Sequence, residues 1–294
     1  MSIVAVSAGF PGVSRVLEEG EKLRVWDFVR IDQDGTVKMN KADIYLLGAW
    51  HPGYEELVSF LHRDFREVKV GVLWTSSCGE MGLEPIEQEF LERILADDRI
   101  DFIWFGDPAL ADIFEKGFHI PYPLKYEEHQ EEKKERSISL FAPRPAKKNL
   151  FTQFAAAKLA QDKYGLILHT NVTLPFECGV NAVKYPWLPR NELQRVVSSS
   201  LLHMGVSFAE TFSYATADAA LWGTPSVVSP AVSWAPAAYS VSNPNDASEI
   251  LEAVECVLES PRNATEAFRQ SLMLHATTDG ELLTEFLHSR IMSA

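Results

Sequence analysis

The sequence predicts an α/β protein made of two doubly wound domains, each on a parallel sheet, and three observations carry that expectation. Short apolar runs rich in Val, Ile and Phe alternate with helix-length segments along most of the chain, the rhythm of repeated β-α-β units. A charge run without an apolar residue, from Glu127 to Arg136, interrupts that rhythm near the middle. At 294 residues and 46% hydrophobic content, the chain is long enough to bury two cores of ordinary size. The expected organisation is an N-terminal domain over residues 1–126, a charged linker over 127–136 and a C-terminal domain over 137–294. The last helices are candidates for packing back on the N-terminal domain.

The elements follow in order. Strands are expected at residues 3–6, 24–30, 43–47, 69–74 and 101–105, and after the linker at 137–141, 165–169, 206–208 and 225–228. A helix is expected over 149–162, where Leu150, Phe154, Ala157 and Leu159 are apolar and Gly165 follows as a stop. Ser213 or Thr216 is placed to cap a helix running through Asp218 to Trp222, which Gly223-Thr224-Pro225 ends. Residues 246–291 read as helical throughout, with breaks at Ser260-Pro261 and Asp279-Gly280.

Charge and cysteine content narrow the partners. A formal charge of -14 at pH 7 makes nucleic acid or an anionic membrane face a poor partner, so any bound phosphate needs a local pocket. Cys78, Cys178 and Cys256 are odd in number, far apart and without zinc-site spacing, and read as reduced core residues. No basic region precedes a long apolar run at the N-terminus, and no stretch is long and apolar enough to span a membrane, so a cytoplasmic location is expected. The sequence does not specify an oligomeric state.

In an open parallel sheet, ligands sit outside the carboxyl ends of the strands, where loops meet helix N-termini that suit anions. Two stretches of the C-terminal half have that placement. The segment from Ala142 to Asn149 carries Arg144, Lys147 and Lys148 directly before a helix, features that suit a diphosphate and are also common on ordinary surfaces. The segment from Phe208 to Ser229 sets Glu210 after a strand and Asp218 eight residues later on a helix, where it can reach vicinal hydroxyls or simply face water.

In this order the two loops, with Trp187 to Leu193 between them and Gly223-Thr224-Pro225 closing the second, resemble the C-terminal half of GT-B glycosyltransferases, closest to glycosyltransferase family 4. The resemblance covers about residues 137–260; the N-terminal half follows in outline, through its strand rhythm and the exit at Ile120 to Pro123. It implies two Rossmann-like domains facing a cleft. It implies a hexosyltransferase-like enzyme, retaining and metal-independent, that takes a UDP-sugar or GDP-sugar as donor substrate with no separate cofactor, and a small molecule, a glycan or a protein as acceptor.

Position by position, the resemblance assigns Arg144 and Lys148 to the donor diphosphate, with Lys147 beside them, Glu210 to the donor sugar and Asp218 to the ribose hydroxyls. Thr211, Phe212 and Ser213 continue the donor loop, and Arg190 and Leu193 fall in the segment that receives the base. Three departures stand out. Asp218 is one methylene shorter than the family's Glu. Thr211 and Ser213 stand where glycines are usual. After the strand at 69–74, Thr75 to Cys78 occupies the place of the family's donor-facing histidine, with His51 as the substitute candidate on the acceptor or sugar side. Gly9 and Gly12, after the first strand, belong to that side too, although a structural turn explains them equally well. Trp50, Trp74 and Trp104 are aromatic enough to stack on a sugar but read first as core.

Rival readings are a non-catalytic GT-B-like module that binds a nucleotide or a partner, a UDP-sugar epimerase of the same fold, and a nicotinamide-dependent enzyme. The last needs a glycine fingerprint that residues 5–12 do not supply.

Overall fold

The computed structural model describes residues 2–9, 11–31, 40–65, 67–126, 132–142, 146–173 and 179–292. The chain forms two compact units, one of Met1–Lys125 with Ala276–Ala294, the other of Tyr126–His275.

The first unit contains β1 (Ile3–Ser7), α1 (Pro11–Lys22), β2 (Asp27–Arg30), β3 (Ile44–Gly48), α2 (Tyr54–Asp64), β4 (Lys69–Trp74), α3 (Cys78–Leu83), α4 (Pro85–Ala96), β5 (Phe102–Phe105), α5 (Pro108–Ala111) and β6 (Gly117–His119). All strands pair in parallel in the order β2-β1-β3-β4-β5-β6. Strands buried on both faces need continuous apolar runs, and β1, β3 and β5 are buried along their whole length. Large rings fill this core: Tyr45, Tyr54, Trp74, Phe102, Trp104 and Phe105 are all nearly inaccessible. Gly71 is dictated by one of them, because a Cβ there would lie 2.0 Å from the Phe102 ring. The last helix (Gly280–Met292) also belongs to this unit; Gly280 approaches so closely that a Cβ would sit 2.1 Å from the Leu23 carbonyl oxygen.

The second unit contains β7 (Ser137–Leu140), a 3-10 turn (Ala146–Lys148), α6 (Leu150–Tyr164), β8 (Ile167–Thr170), β9 (Ala182–Lys184), α7 (Arg190–Ser199), β10 (Leu202–Gly205), α8 (Tyr214–Leu221), β11 (Ser226–Val228), α9 (Ala247–Glu259) and α10 (Pro261–His275). The last helix of the chain is therefore α11. The parallel order is β11-β10-β7-β8-β9, so the strand order reverses between β7 and β10. That reversal is where such a sheet opens a crevice for a ligand.

The two faces of this sheet differ in chemistry. Ile138, Leu140, Leu168, Leu202 and Met204 join the apolar core formed with α6 and α9. The opposite face is polar although buried: the Ser137 hydroxyl donates to Ser200 Oγ at 3.3 Å, Ser139 Oγ lies 3.2 Å from His203 Nδ1, and Thr216 of α8 stands over Gly205. Lys134 secures the helices on that side. Its ammonium donates to the carbonyls of Ser198 (2.8 Å), Ser200 (3.1 Å) and Gly223 (3.0 Å) and to Thr224 Oγ1 (2.9 Å), at the C-terminal ends of α7 and α8.

The strand expected at 206–208 forms instead at Leu202–Gly205. From Val206 onward, side chains take the backbone donors that a ladder would use: Val206 N–H donates to Gln153 Oε1 and Ser207 N–H to Ser229 Oγ. The strand expected over 24–30 is confined to Asp27–Arg30, since Arg24 turns with φ 62°. Strands β6 and β9, three residues each, lack an apolar run of their own and escape a periodicity reading.

Candidate functional site

The loops after β7 and β10 flank the strand-order reversal of the second unit. Arg144 lies outside the described residues. The β7 loop re-emerges as the turn carrying Lys147 and Lys148, and the buried Asn149, in the left-handed conformation (φ 49°), leads into α6 while its amide donates to the Pro244 carbonyl.

Gln153, on the first turn of α6, ties this loop to the next. Its Nε2 donates to the Lys148 carbonyl at 2.7 Å, and its Oε1 accepts from Val206 N–H at 3.1 Å. Phe208 N–H adds a bond to the Lys147 carbonyl at 2.6 Å. The two loops therefore hold one fixed geometry, and within it the Lys148 ammonium pairs with the Glu210 carboxylate. The Ser207 hydroxyl donates to the same carboxylate oxygen at 2.8 Å. Both side chains of the pair are mostly buried, 15% and 9% exposed. Burial, and then the neighbouring Lys148 charge, push the Lys147 ammonium below the usual lysine range. Two ammoniums facing one carboxylate at a sheet's carboxyl edge favour an added anion.

His203 lies beneath this loop on β10, fully enclosed. Burial, reinforced by the Lys148 charge, lowers its pKa to about 4, so it is neutral at ordinary pH.

Asp218 lies one helical turn inside α8 and receives both arms of Arg190, the first residue of α7, at 2.9 Å each. The Arg190 guanidinium also lies over the Trp222 ring, 5.3 Å from its centroid. Thr211 is half-buried at the mouth of the loop. Phe212 is buried, packed between Tyr214 (5.0 Å) and Trp234 (5.7 Å), and its carbonyl accepts from the Trp234 indole, so it anchors the loop from below. Ser213 adopts φ 65°, the left-handed conformation that a glycine takes without cost, and its hydroxyl bonds Thr216 Oγ1 at 3.0 Å. Its departure from glycine therefore leaves the backbone turn available. Leu193 is half-buried on the first turn of α7, its N–H bonded to the Pro189 carbonyl at 2.9 Å.

In the first unit, Gly9 is left-handed (φ 94°) and its N–H donates to Ser7 Oγ at 3.1 Å. Gly12 falls inside the first turn of α1 rather than in the preceding loop. His51 is exposed, its Nδ1 accepting from Gly53 N–H at 3.1 Å and its ring edge-on to Tyr54. Tyr54 organises this rim: its buried hydroxyl accepts from Ala8 N–H at 2.8 Å and donates to the Gly48 carbonyl at 3.3 Å, and burial drives its phenol well above the ordinary range. Trp50, Trp74 and Trp104 are all at most 2% exposed and belong to the core.

Sequence reasoning missed Gln153, Ser207 and His203. Only Gln153 carries a local signal, as an amide beside Phe154 on the otherwise apolar buried side of α6.

No protein-family profile matches the chain, and no curated protein matches its sequence. Solved structures do match its fold. A sucrose-phosphate synthase from Thermosynechococcus elongatus superposes with a TM-score of 0.70 over 100% of both chains at 12% identity. A trehalose-6-phosphate synthase studied with bisubstrate glycomimetics of retaining glycosyl transfer gives 0.65 over 100% of this chain and 99% of that one at 11% identity. An alpha-glucosyltransferase in complex with UDP and a 13-mer DNA gives 0.67 over 99% of this chain and 100% of that one, also at 11%. No described helix is long and apolar enough to cross a membrane. With its two parallel-sheet units and these neighbours, the chain has the GT-B fold.

Proposed function

We propose that this protein is a glycosyltransferase that moves a sugar from a nucleoside diphosphate sugar to an acceptor, with retention and without a metal. The observation that carries the reading is the pairing of Lys148 with Glu210, beside Lys147, across the two loops that flank the strand-order reversal. The neighbours that bind UDP or carry out glycosyl transfer with retention support it at the level of fold.

The chemistry follows from charge. Breaking the bond between the anomeric carbon and the diphosphate oxygen transfers the bonding pair to the diphosphate, so cations that hold it more strongly as charge develops lower the barrier. Lys148, with Arg144 from the same loop, takes that role. Glu210, released from Lys148 by the competing phosphate, faces the hydroxyls of the donor sugar. Asp218, held in place by Arg190, keeps lone pairs for the ribose hydroxyls. In the front-face route the acceptor oxygen attacks from the side the diphosphate leaves, and its proton passes to the departing phosphate oxygen, so no separate enzyme base is required.

Thermal unfolding in EDTA with UDP, GDP, ADP and their sugar conjugates tests the reading. Stabilisation by one nucleoside diphosphate and its conjugates, lost in Lys148→Ala, followed by acceptor-dependent sugar transfer, is expected. No stabilisation by any of them overturns it.

A further inference from the structure

A depression lies in the same unit, on the far side of α7 from the Arg190–Asp218 pair. Its volume is 580 Å³, within the roughly 300–1,000 Å³ typical of small-molecule sites. Lys147, Lys148, Glu210 and Asp218 are not among the described residues that line it.

Helix α7 is the wall between the two sites. Arg190 opens the helix toward α8, whereas Asn191, Glu192, Arg195 and Ser199 form a stripe along the other side and face the depression. The floor is aromatic. His169, near the end of β8, stacks on Tyr185 with centroids 5.7 Å apart and planes at 26°, and the Tyr185 hydroxyl and His169 Nδ1 are 2.9 Å apart. Behind Tyr185 stands Phe141, at the end of β7, 5.8 Å away. Burial lowers the pKa of His169, which keeps the stacked ring neutral near pH 7.

The opposite wall is the segment that carries Glu132 and Glu135. This segment is not a loose strap. Lys134 is fixed by the carbonyls at the ends of α7 and α8, and Glu135 N–H donates to the Ser199 carbonyl at 2.7 Å. The walls are therefore tied to each other before anything binds, which limits the ordering cost of binding.

The lining chemistry selects the occupant. Three carboxylates (Glu132, Glu135, Glu192) outnumber two cations (Lys133, Arg195), which argues against an anion. Carboxylates accept from hydroxyls, and guanidinium, ammonium and carboxamide groups donate to them. A ring stack with Leu188 and Val196 nearby gives an apolar surface for C–H faces. A neutral polyhydroxylated ligand with one apolar face satisfies every part of this set. We propose that this groove is a second carbohydrate site, which holds a short oligosaccharide away from the donor site. The proposal extends the glycosyltransferase reading, in which a glycan acceptor would gain a distant anchor.

The test is isothermal calorimetry of the full chain with maltotriose, cellotriose and chitotriose, and separately with UDP and GDP. One trisaccharide is expected to bind, and Glu135→Ala/Arg195→Ala, both at exposed positions, to weaken it by about tenfold or more while nucleotide affinity stays unchanged. Tyr185→Phe, which keeps the ring and removes the hydroxyl bonded to His169, is expected to retain measurable binding. Nucleotide binding without binding of any trisaccharide overturns the groove and leaves the glycosyltransferase reading standing. Trisaccharide binding that survives the double variant but is lost in Glu210→Gln also overturns it. Trisaccharide binding that is lost in the double variant of a chain that binds neither UDP nor GDP supports the groove and removes the glycosyltransferase reading alone.

Discussion

Arg190 holds Asp218 at two points, both 2.9 Å, while its guanidinium rests on the ring of Trp222. The carboxylate is thus oriented by a planar fork that an ammonium cannot imitate. Arg190→Lys is expected to weaken nucleoside diphosphate binding about tenfold, with a loss of stability below about 1 kcal/mol because the arginine is 38% exposed. Calorimetric titration with UDP and GDP alongside a urea melt separates the two effects. Unchanged affinity would remove Arg190 from the donor site.

Lys148 and Glu210 offer a different signature, because both are mostly buried. Removing Glu210 leaves the Lys148 ammonium enclosed without its counterion, and Glu210→Ala is expected to lower stability by about 3 kcal/mol. The double variant Lys148→Ala/Glu210→Ala should recover part of that loss, which a double-mutant cycle in urea measures directly. Additive losses would mean the pair is not coupled.

His203 makes the second unit sensitive to acid. Its folded pKa of about 4 lies below the ordinary 6.5, so the unfolded chain takes up the proton first. The stability contribution is complete above the unfolded value and is lost as pH falls toward 4. Between pH 7 and pH 5 the expected loss from this group is about 2 kcal/mol. His203→Gln should flatten that part of the pH profile in denaturant melts, and an unaltered slope would assign the acid sensitivity to other groups.

Lys134 secures two helix ends with one ammonium. Lys134→Met is expected to cost about 1–2 kcal/mol and to raise amide hydrogen exchange at the last turns of α7 and α8. Protection left intact there would show that these ends are held by packing alone.

Most of the fold was legible because parallel strands buried on both faces advertise themselves as apolar runs; residues 69–74 match β4 at both ends. Where legibility failed, the cause was local. Val206-Ser207-Phe208 looks more strand-like than Leu202 to Gly205, but side-chain acceptors from Gln153 and Ser229 claim its backbone donors. In the site, spacing and resemblance brought Lys148 and Glu210 to one place, and the structure joins them in an ion pair. The grip of Arg190 on Asp218 spans 28 positions and depends on how α7 lies beside α8, which no short-range pattern reveals. His203 was invisible for the same reason, since its neighbours come from β7 and from the Lys148 loop.

The polar bonds that join α7 to α8 have a consequence for how these helices can move. An apolar interface is indifferent to small sliding, because greasy surface uncovered at one point is covered again at the next. The Thr224 hydroxyl just beyond α8, which donates to the Val197 carbonyl of α7 at 2.8 Å, and the Lys134 ammonium shared by the Ser198 and Gly223 carbonyls work only at one offset, and any slip leaves these groups without their partners. This side of the molecule therefore behaves like a keyed joint rather than a bearing: α7 and α8, and the side chains they carry, either sit in one position or come away altogether.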